Sequence, residues 1–428
     1  IGGFGRETMT STGGRDVLIG DSGRAEFNAA GQLLDAFSVS DADGDVDTIN
    51  TGSDNDVIIG GTAGDSITDA GGNNIVLGDS GHATWDPTGI LKNVYTTSNS
   101  IGGNDQIGTG TGNDLIIGGA ASDTIASANG RNIVLGDNGQ VLFDDQGRLI
   151  SAVTQDVVNF GNDNVTLGAG NDIVLGGSGR DTIQGDNGNN VVLGDNGKAI
   201  FNTAGFLVDF DTTDPAEGDV DTITVGTGND VVIGGAASDV ITAVGGNNVL
   251  IGDNARIQSD VLGNLVSVDT KDPLVGGNDS IISGTGNDVI LGGSGADTIN
   301  DAGGRNIVAG DNAGATFDAN RQLRTMTSTD TSYGGIDTIT TGAGDDVIVG
   351  GIVRHRQRGA GHGGHGEHVV AGKQGLDGAE QAGAGELGVA EVGQGEAAAT
   401  LHESEGDGVH GVLPAREIGV AEDAEGGL

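Results

Sequence analysis

The residues of this chain that could do chemistry are acidic and recur at fixed intervals. Asp47, Asp56, Asp65 and Asn74 stand nine residues apart. The spacing returns at Asp105, Asp114, Asp123 and Asn132, and again at Asp163, Asp172, Asp181 and Asn190. It continues through Asp221, Asp230, Asp239 and Asn248, then Asp279, Asp288, Asp297 and Asn306. Asp16 precedes the series, and Asp337 and Asp346 close it. Regular recurrence argues for ligation and against a single active site. Hard cations take six to eight oxygens from carboxylates and backbone carbonyls. Asn in the fourth slot keeps an oxygen and drops a charge. A merely solvated acidic face would not require fixed flanking glycines.

Those glycines define the local frame. Gly176-Gly177-Ser178-Gly179-Arg180-Asp181-Thr182-Ile183-Gln184 reads G-G-x-G-x-D-x-U-x, with U a large apolar residue. Gly292-Gly293-Ser294-Gly295-Ala296-Asp297-Thr298-Ile299-Asn300 repeats it. Glycine permits the positive φ of a tight turn. The Asp follows the turn, and the apolar residue two places on faces inward from a short strand. That inward column is Ile49, Ile58, Ile67 and Val76 in one copy and Ile223, Val232, Ile241 and Leu250 in another. One such row cannot bury its apolar residue; stacked rows can, and stacking draws the Asp residues into columns.

These nonapeptides resemble the RTX (hemolysin-type calcium-binding) family over roughly the first 350 residues. The resemblance implies an all-β fold, a right-handed parallel β-roll or β-helix solenoid, with calcium (Ca2+) as its ligand. It also implies two rows per turn, so that residues 18 apart stack. Asp47 would then pair with Asp65, Asp105 with Asp123, Asp163 with Asp181, Asp221 with Asp239 and Asp279 with Asp297. On the opposite side Asp56 would face Asn74, and Asp114, Asp172, Asp230 and Asp288 would face Asn132, Asn190, Asn248 and Asn306. The Asp–Asp pairs are expected to bind more tightly.

A longer period overlies the nonapeptides. Gly20-Asp21 recurs at Gly78-Asp79, Gly136-Asp137, Gly194-Asp195, Gly252-Asp253 and Gly310-Asp311, always 58 residues apart. This gives full copies at 21–78, 79–136, 137–194, 195–252 and 253–310, with partial copies at both ends. Each holds four nonapeptide rows and a further segment with an aromatic (Phe27, Trp85, Phe143, Phe201, Phe317; Ser259 in one copy) and a leucine six residues later. A polar turn, usually with glycine, lies between. The segment reads as a β-hairpin or as an irregular extra turn of the solenoid. This decoration departs from uninterrupted RTX arrays, so ion number and roll geometry do not transfer from the family.

The repeat domain is expected to span 1–351 and a low-complexity tail 352–428. The next slot would be 355, where His355 stands. The tail lacks Phe, Tyr and Trp and has no nonapeptide. It reads either as an out-of-frame or foreign sequence or as a natural disordered end. His362, His365 and His368 have no preset metal geometry in so glycine-rich a segment. Gly372-Lys373 fails the phosphate-loop pattern, since Gln374 replaces Ser or Thr. Residues 379–405, rich in Ala and Glu, offer at most a marginal helix.

Composition narrows the function. Eighty-five glycines and nine phenylalanines are wrong for an ordinary core of 428 residues. A formal net charge of −44 excludes a basic nucleic-acid surface and is repelled by anionic membranes. There is no cysteine, hence no disulfide framework. No apolar run is long enough for a transmembrane helix. Neither H-E-x-x-H nor G-x-S-x-G occurs, so an enzyme is not expected. The chain starts inside a repeat and reads as part of something longer.

The leading expectation is a calcium-folded structural segment of a large secreted or cell-surface bacterial protein, adhesin-like and exported by type I secretion. Its surface or matrix partner is unspecified. The alternative is the RTX segment of an extracellular hydrolase or toxin whose catalytic part lies elsewhere. Thr-rich faces such as Thr222-Ile223-Thr224 suggest ice or polysaccharide binding only weakly, because the Thr columns are incomplete.

Overall fold

A computed structural model describes residues 1–351 except 40–43, 99, 156–160 and 331, together with the strands Arg356–Gln357 and Val369–Gly372. Alternate nonapeptide rows feed two parallel sheets of 13 strands each. Thr48–Asn50 and Ser66–Thr68 lie in the first sheet; Val57–Gly61 and Ile75–Asp79 lie in the second. Rows 18 apart are neighbours, Ile49 facing Ile67 and Ile58 facing Val76. The ladder does not stop at the end of a copy. Ile67 next faces Ile107, 40 residues on, so the extra segment is an excursion from an unbroken stack.

That excursion is a hairpin. Gly139–Phe143 and Leu149–Thr154 pair antiparallel, with Phe143 opposite Leu149 after a register shift. The aromatic and the leucine six residues later are therefore cross-strand partners. The turn between them is set by Asp144, whose Oδ1 accepts the backbone N–H groups of Gln146 (2.8 Å) and Arg148 (3.0 Å). Gly147 supplies φ +74° there, a conformation that favours glycine. Successive hairpins also pair with one another, Val94 facing Val141 and Ala152 facing Ala199, which produces a third, 12-stranded antiparallel sheet.

The third layer changes the core. The sequence pattern suggests one inward apolar residue per row. The second parallel sheet is instead buried on both faces and reads as continuous apolar runs, such as Leu115–Ile117 and Ile173–Leu175. Its Ile58, Val76 and Ile116 join Ile49, Ile67 and Ile107 in a core between the two parallel sheets. Its Ile59, Leu77 and Ile117 join Ala83, Val94, Val141 and Phe210 in a second core beneath the hairpins. Trp85, Phe143, Leu91 and Leu149 pack half-buried against that second core.

The sheets also run beyond residue 351. Arg356–Gln357 pairs with Thr338–Thr340, and Val369–Gly372 pairs with Val347–Gly351. Each parallel sheet thus gains one rung from the segment expected to be featureless. The histidine group at 362, 365 and 368 and the marginal helix at 379–405 lie outside the described residues.

Candidate metal centre

Up to Asp346, the described turns between the parallel sheets end on one of the recurring acidic or amide residues, and the stack aligns these along two edges. Edge one runs from Glu7 through Asp47, Asp65, Asp105, Asp123, Asp163, Asp181, Asp221, Asp239, Asp279 and Asp297 to Asp337. Each Oδ1 accepts the backbone N–H of the preceding member, at 2.6–2.9 Å. Edge two runs from Asp16 through Asp56, Asn74, Asp114, Asn132, Asp172, Asn190, Asp230, Asn248, Asp288 and Asn306 to Asp346, with bonds of 2.7–3.1 Å. The pairs 18 apart are those the family resemblance implies. The steps of 40 that join them into continuous columns are visible only in the fold. All of these slot residues except Glu7 and Asp16 are buried.

Edge one leaves half of each carboxylate unsatisfied. Oδ2 of Asp65, Asp105, Asp123, Asp163, Asp181 and Asp221 is buried with no hydrogen-bond donor. A buried, unpaired carboxylate oxygen is costly. Each Oδ2 points at a glycine α-carbon. An ideal Cβ on Gly176 would fall within 3.0 Å of both Asp181 Oδ2 and Gly194 O, and one on Gly118 within 3.0 Å of Asp123 Oδ2 and Gly136 O. The glycine therefore keeps open a cradle where a carboxylate oxygen and a carbonyl oxygen converge. Among the described residues no three His, Asp or Glu side chains gather around one point. An ion here would be held by one carboxylate per rung together with turn carbonyls, a hard-oxygen donor set that fits calcium.

Burial pushes these carboxyls upward. Asp65 is raised to about 8, by desolvation first and the charges of Asp47 and Asp21 after it. Asp297 is raised to about 9 by desolvation and then by Asp279. Asp105, Asp123, Asp181, Asp221 and Asp239 move well above the carboxylate range for the same two reasons. On edge two desolvation lifts Asp172 to about 6 and Asp230 to about 7.

The Gly-Asp pair, legible in the sequence only as a period marker, has a structural task. Asp79 accepts Gly103 N–H through Oδ1 at 3.1 Å and Ala120 N–H through Oδ2 at 2.5 Å. Asp137 does the same with Gly161 (3.3 Å) and Ser178 (2.6 Å). Each thus ties the return limb of its own hairpin excursion to the next rung's turn. A second column lies outside the slots: the exposed Asn55, Asn73 and Asn113 stack by side-chain-to-backbone bonds, Asn73 N–H donating to Asn55 Oδ1 at 2.9 Å and Asn113 N–H to Asn73 Oδ1 at 2.7 Å. Its signal was the Asn that stands just before many slot residues.

Two parallel sheets joined by stacked glycine turns, with acidic columns at the turns, define a calcium-binding β-roll. A family model for the RTX calcium-binding nonapeptide repeat matches residues 1–24, 50–84, 101–139, 157–183, 166–198, 216–250, 275–311 and 331–352. These segments cover more than half of the chain, and the chain belongs to that family. No curated protein shows significant similarity to it. Among the described residues no helix is long and apolar enough to cross a membrane.

Proposed function

We propose that this chain is a calcium-folded structural segment of a large secreted or cell-surface protein, adhesin-like rather than catalytic, exported by type I secretion and folded outside the cell. The observation that carries the reading is the run of buried carboxylate oxygens with no donor, each facing a glycine-kept cradle. Family membership supports the calcium and the export route, since RTX repeat proteins typically leave by type I systems. The ion's part is to neutralise the columns and fill the oxygen cradles.

Without that neutralisation the fold opposes itself. Two carboxylates about 4 Å apart repel by about 4 kcal/mol at an effective dielectric near 20. Ordering the backbone costs about 1–2 kcal/mol per residue, and glycine loses the most freedom. Binding energy then becomes folding energy. Extracellular calcium modules work at about 10⁻⁴–10⁻³ M, so such a chain stays unfolded in the cytosol and folds on export. Magnesium, which demands a tighter octahedron and sheds water reluctantly, substitutes poorly.

A calcium titration followed by circular dichroism and small-angle scattering tests this. At neutral pH in chelator the chain should be expanded, and millimolar calcium should produce β-structure and compaction where magnesium does not. A chain already compact in excess chelator at neutral pH would overturn the reading.

A further inference from the structure

We propose that calcium loads only one of the roll's two edges: the all-aspartate edge binds it in its cradles, and the aspartate–asparagine edge closes on its own side chains without it. The inference rests on the calcium-folding reading above and departs from a roll that binds ions symmetrically.

The first argument is the orientation of the amides. On both edges Oδ1 of the slot residue is fixed by the N–H of the preceding rung, so the other terminal atom faces the turn. At Asp181 that atom is an unpaired oxygen. At Asn190, whose Oδ1 accepts Asp172 N–H at 3.1 Å, it is an NH2 group. That group donates to Asp186 O at 3.0 Å. Asn132 likewise donates to Ala128 O at 3.3 Å. On edge two, alternate rungs therefore place a donor where a cation needs an acceptor, and the donor takes up a turn carbonyl or, at Asn74 and Asn306, the carboxylate of Asp69 or Asp301.

The second argument is space. The position that Gly176 holds beside Asp181 on edge one is held by Leu167 beside Asp172 on edge two, and by Val225 beside Asp230. Both side chains are buried, at 3% and 0% exposure. Where the residue is polar, a hydroxyl reaches a carboxylate in some turns, although Thr51 leaves Asp56 Oδ2 without a donor. The Thr51 hydroxyl donates to Asp69 Oδ2 at 2.5 Å, and the Ser283 hydroxyl donates to Asp288. Gly185 is the one glycine at this position among the described turns, and a Cβ there would make only ordinary contact with Asn190 and Val225. Oδ2 of Asp56, of Asp172 and of Asp230 also lacks a donor. In the turns of Asp172 and Asp230 the glycine that keeps the edge-one cradle open is replaced by the buried Leu167 and Val225, and in the turn of Asp56 by Thr51.

Metal analysis of the full chain after equilibrium dialysis in millimolar calcium decides the matter. The unaltered chain should hold one ion per edge-one cradle; twice that number would overturn the proposal. Asp181→Asn should lower the stoichiometry, and Asp172→Asn, equally conservative, should leave it unchanged. Equal losses in the two variants would also overturn it. The unaltered chain's stoichiometry needs no variant, so a substitution that fails to fold does not block the test. No calcium bound at all would remove the calcium-folding reading itself, and this inference with it. Loading at both edges removes this inference alone.

Discussion

Asp181 accepts the backbone N–H of Asp163 through Oδ1 at 2.8 Å, while its Oδ2 is buried without a donor. One oxygen joins rungs and, on the calcium-folding reading proposed above, the other would face the ion. The same division recurs at each edge-one aspartate from Asp47 to Asp297, so on that reading rung stacking and ion binding would draw on the same side chains.

Asp181→Ala should therefore weaken calcium binding locally and lower the stability of the calcium-loaded roll, since it removes both oxygens. Asp145→Ala is its control. Asp145 lies at a hairpin tip and is 92% exposed, bonded only to Lys92 Nζ at 3.0 Å. Its loss should change stability by no more than about 0.5 kcal/mol. Isothermal calorimetry that finds equal loss of bound calcium in both variants would refute the slot assignment.

The middle layer should be the most sensitive to truncation. Ile117 is fully buried in the core beneath the hairpins. Ile117→Ala should cost about 2–5 kcal/mol through lost burial and a residual cavity. Denaturant unfolding in saturating calcium measures it. A loss below about 1 kcal/mol would mean that the hairpin layer does not pack as described.

Protons should partly replace calcium. The carboxyls of Asp65, Asp230 and Asp172 stand at about 8, 7 and 6 in the fold, against 3.8 as the ordinary value, chiefly through desolvation. A raised carboxyl binds more protons folded than unfolded. Its contribution is fully present below about pH 4 and is lost as pH rises to the folded value, by roughly 1.4 kcal/mol per pH unit per group. The calcium-free chain should be compact near pH 5 and expand toward pH 8. Scattering in chelator that shows compaction increasing with pH would contradict this.

Removing 352–428 deletes the strands Arg356–Gln357 and Val369–Gly372, one rung of each parallel sheet. The slots and cradles up to Asp297 are untouched. The truncated chain should still gain β-structure with calcium, at slightly higher calcium. Complete loss of the transition would make those two strands an obligatory cap.

The sequence by itself determined the rows, their period and the identity of the slots. Nine-residue spacing, fixed glycines and β-branched residues two places after each slot leave few other ways to bury Ile49, Ile67 and Ile107. It also showed that Phe143 and Leu149 flank a turn. It did not show that they are partners across the hairpin, or that Val94 meets Val141 in the next hairpin, because pairing between excursions depends on where the solenoid sets their feet. The 40-residue step from Asp65 to Asp105, the clamp made by Asp79 and the second core around Ile59 and Leu77 are likewise tertiary facts. The difference between the edges is the clearest case. Asp172 and Asp181 occupy the same slot in the same frame, and the residue five places before each takes on meaning only in the fold, where Gly176 lies against the Asp181 carboxylate and Leu167 is buried in the core between the parallel sheets. Spacing reports which residues stack; what fills the space between them is decided by packing.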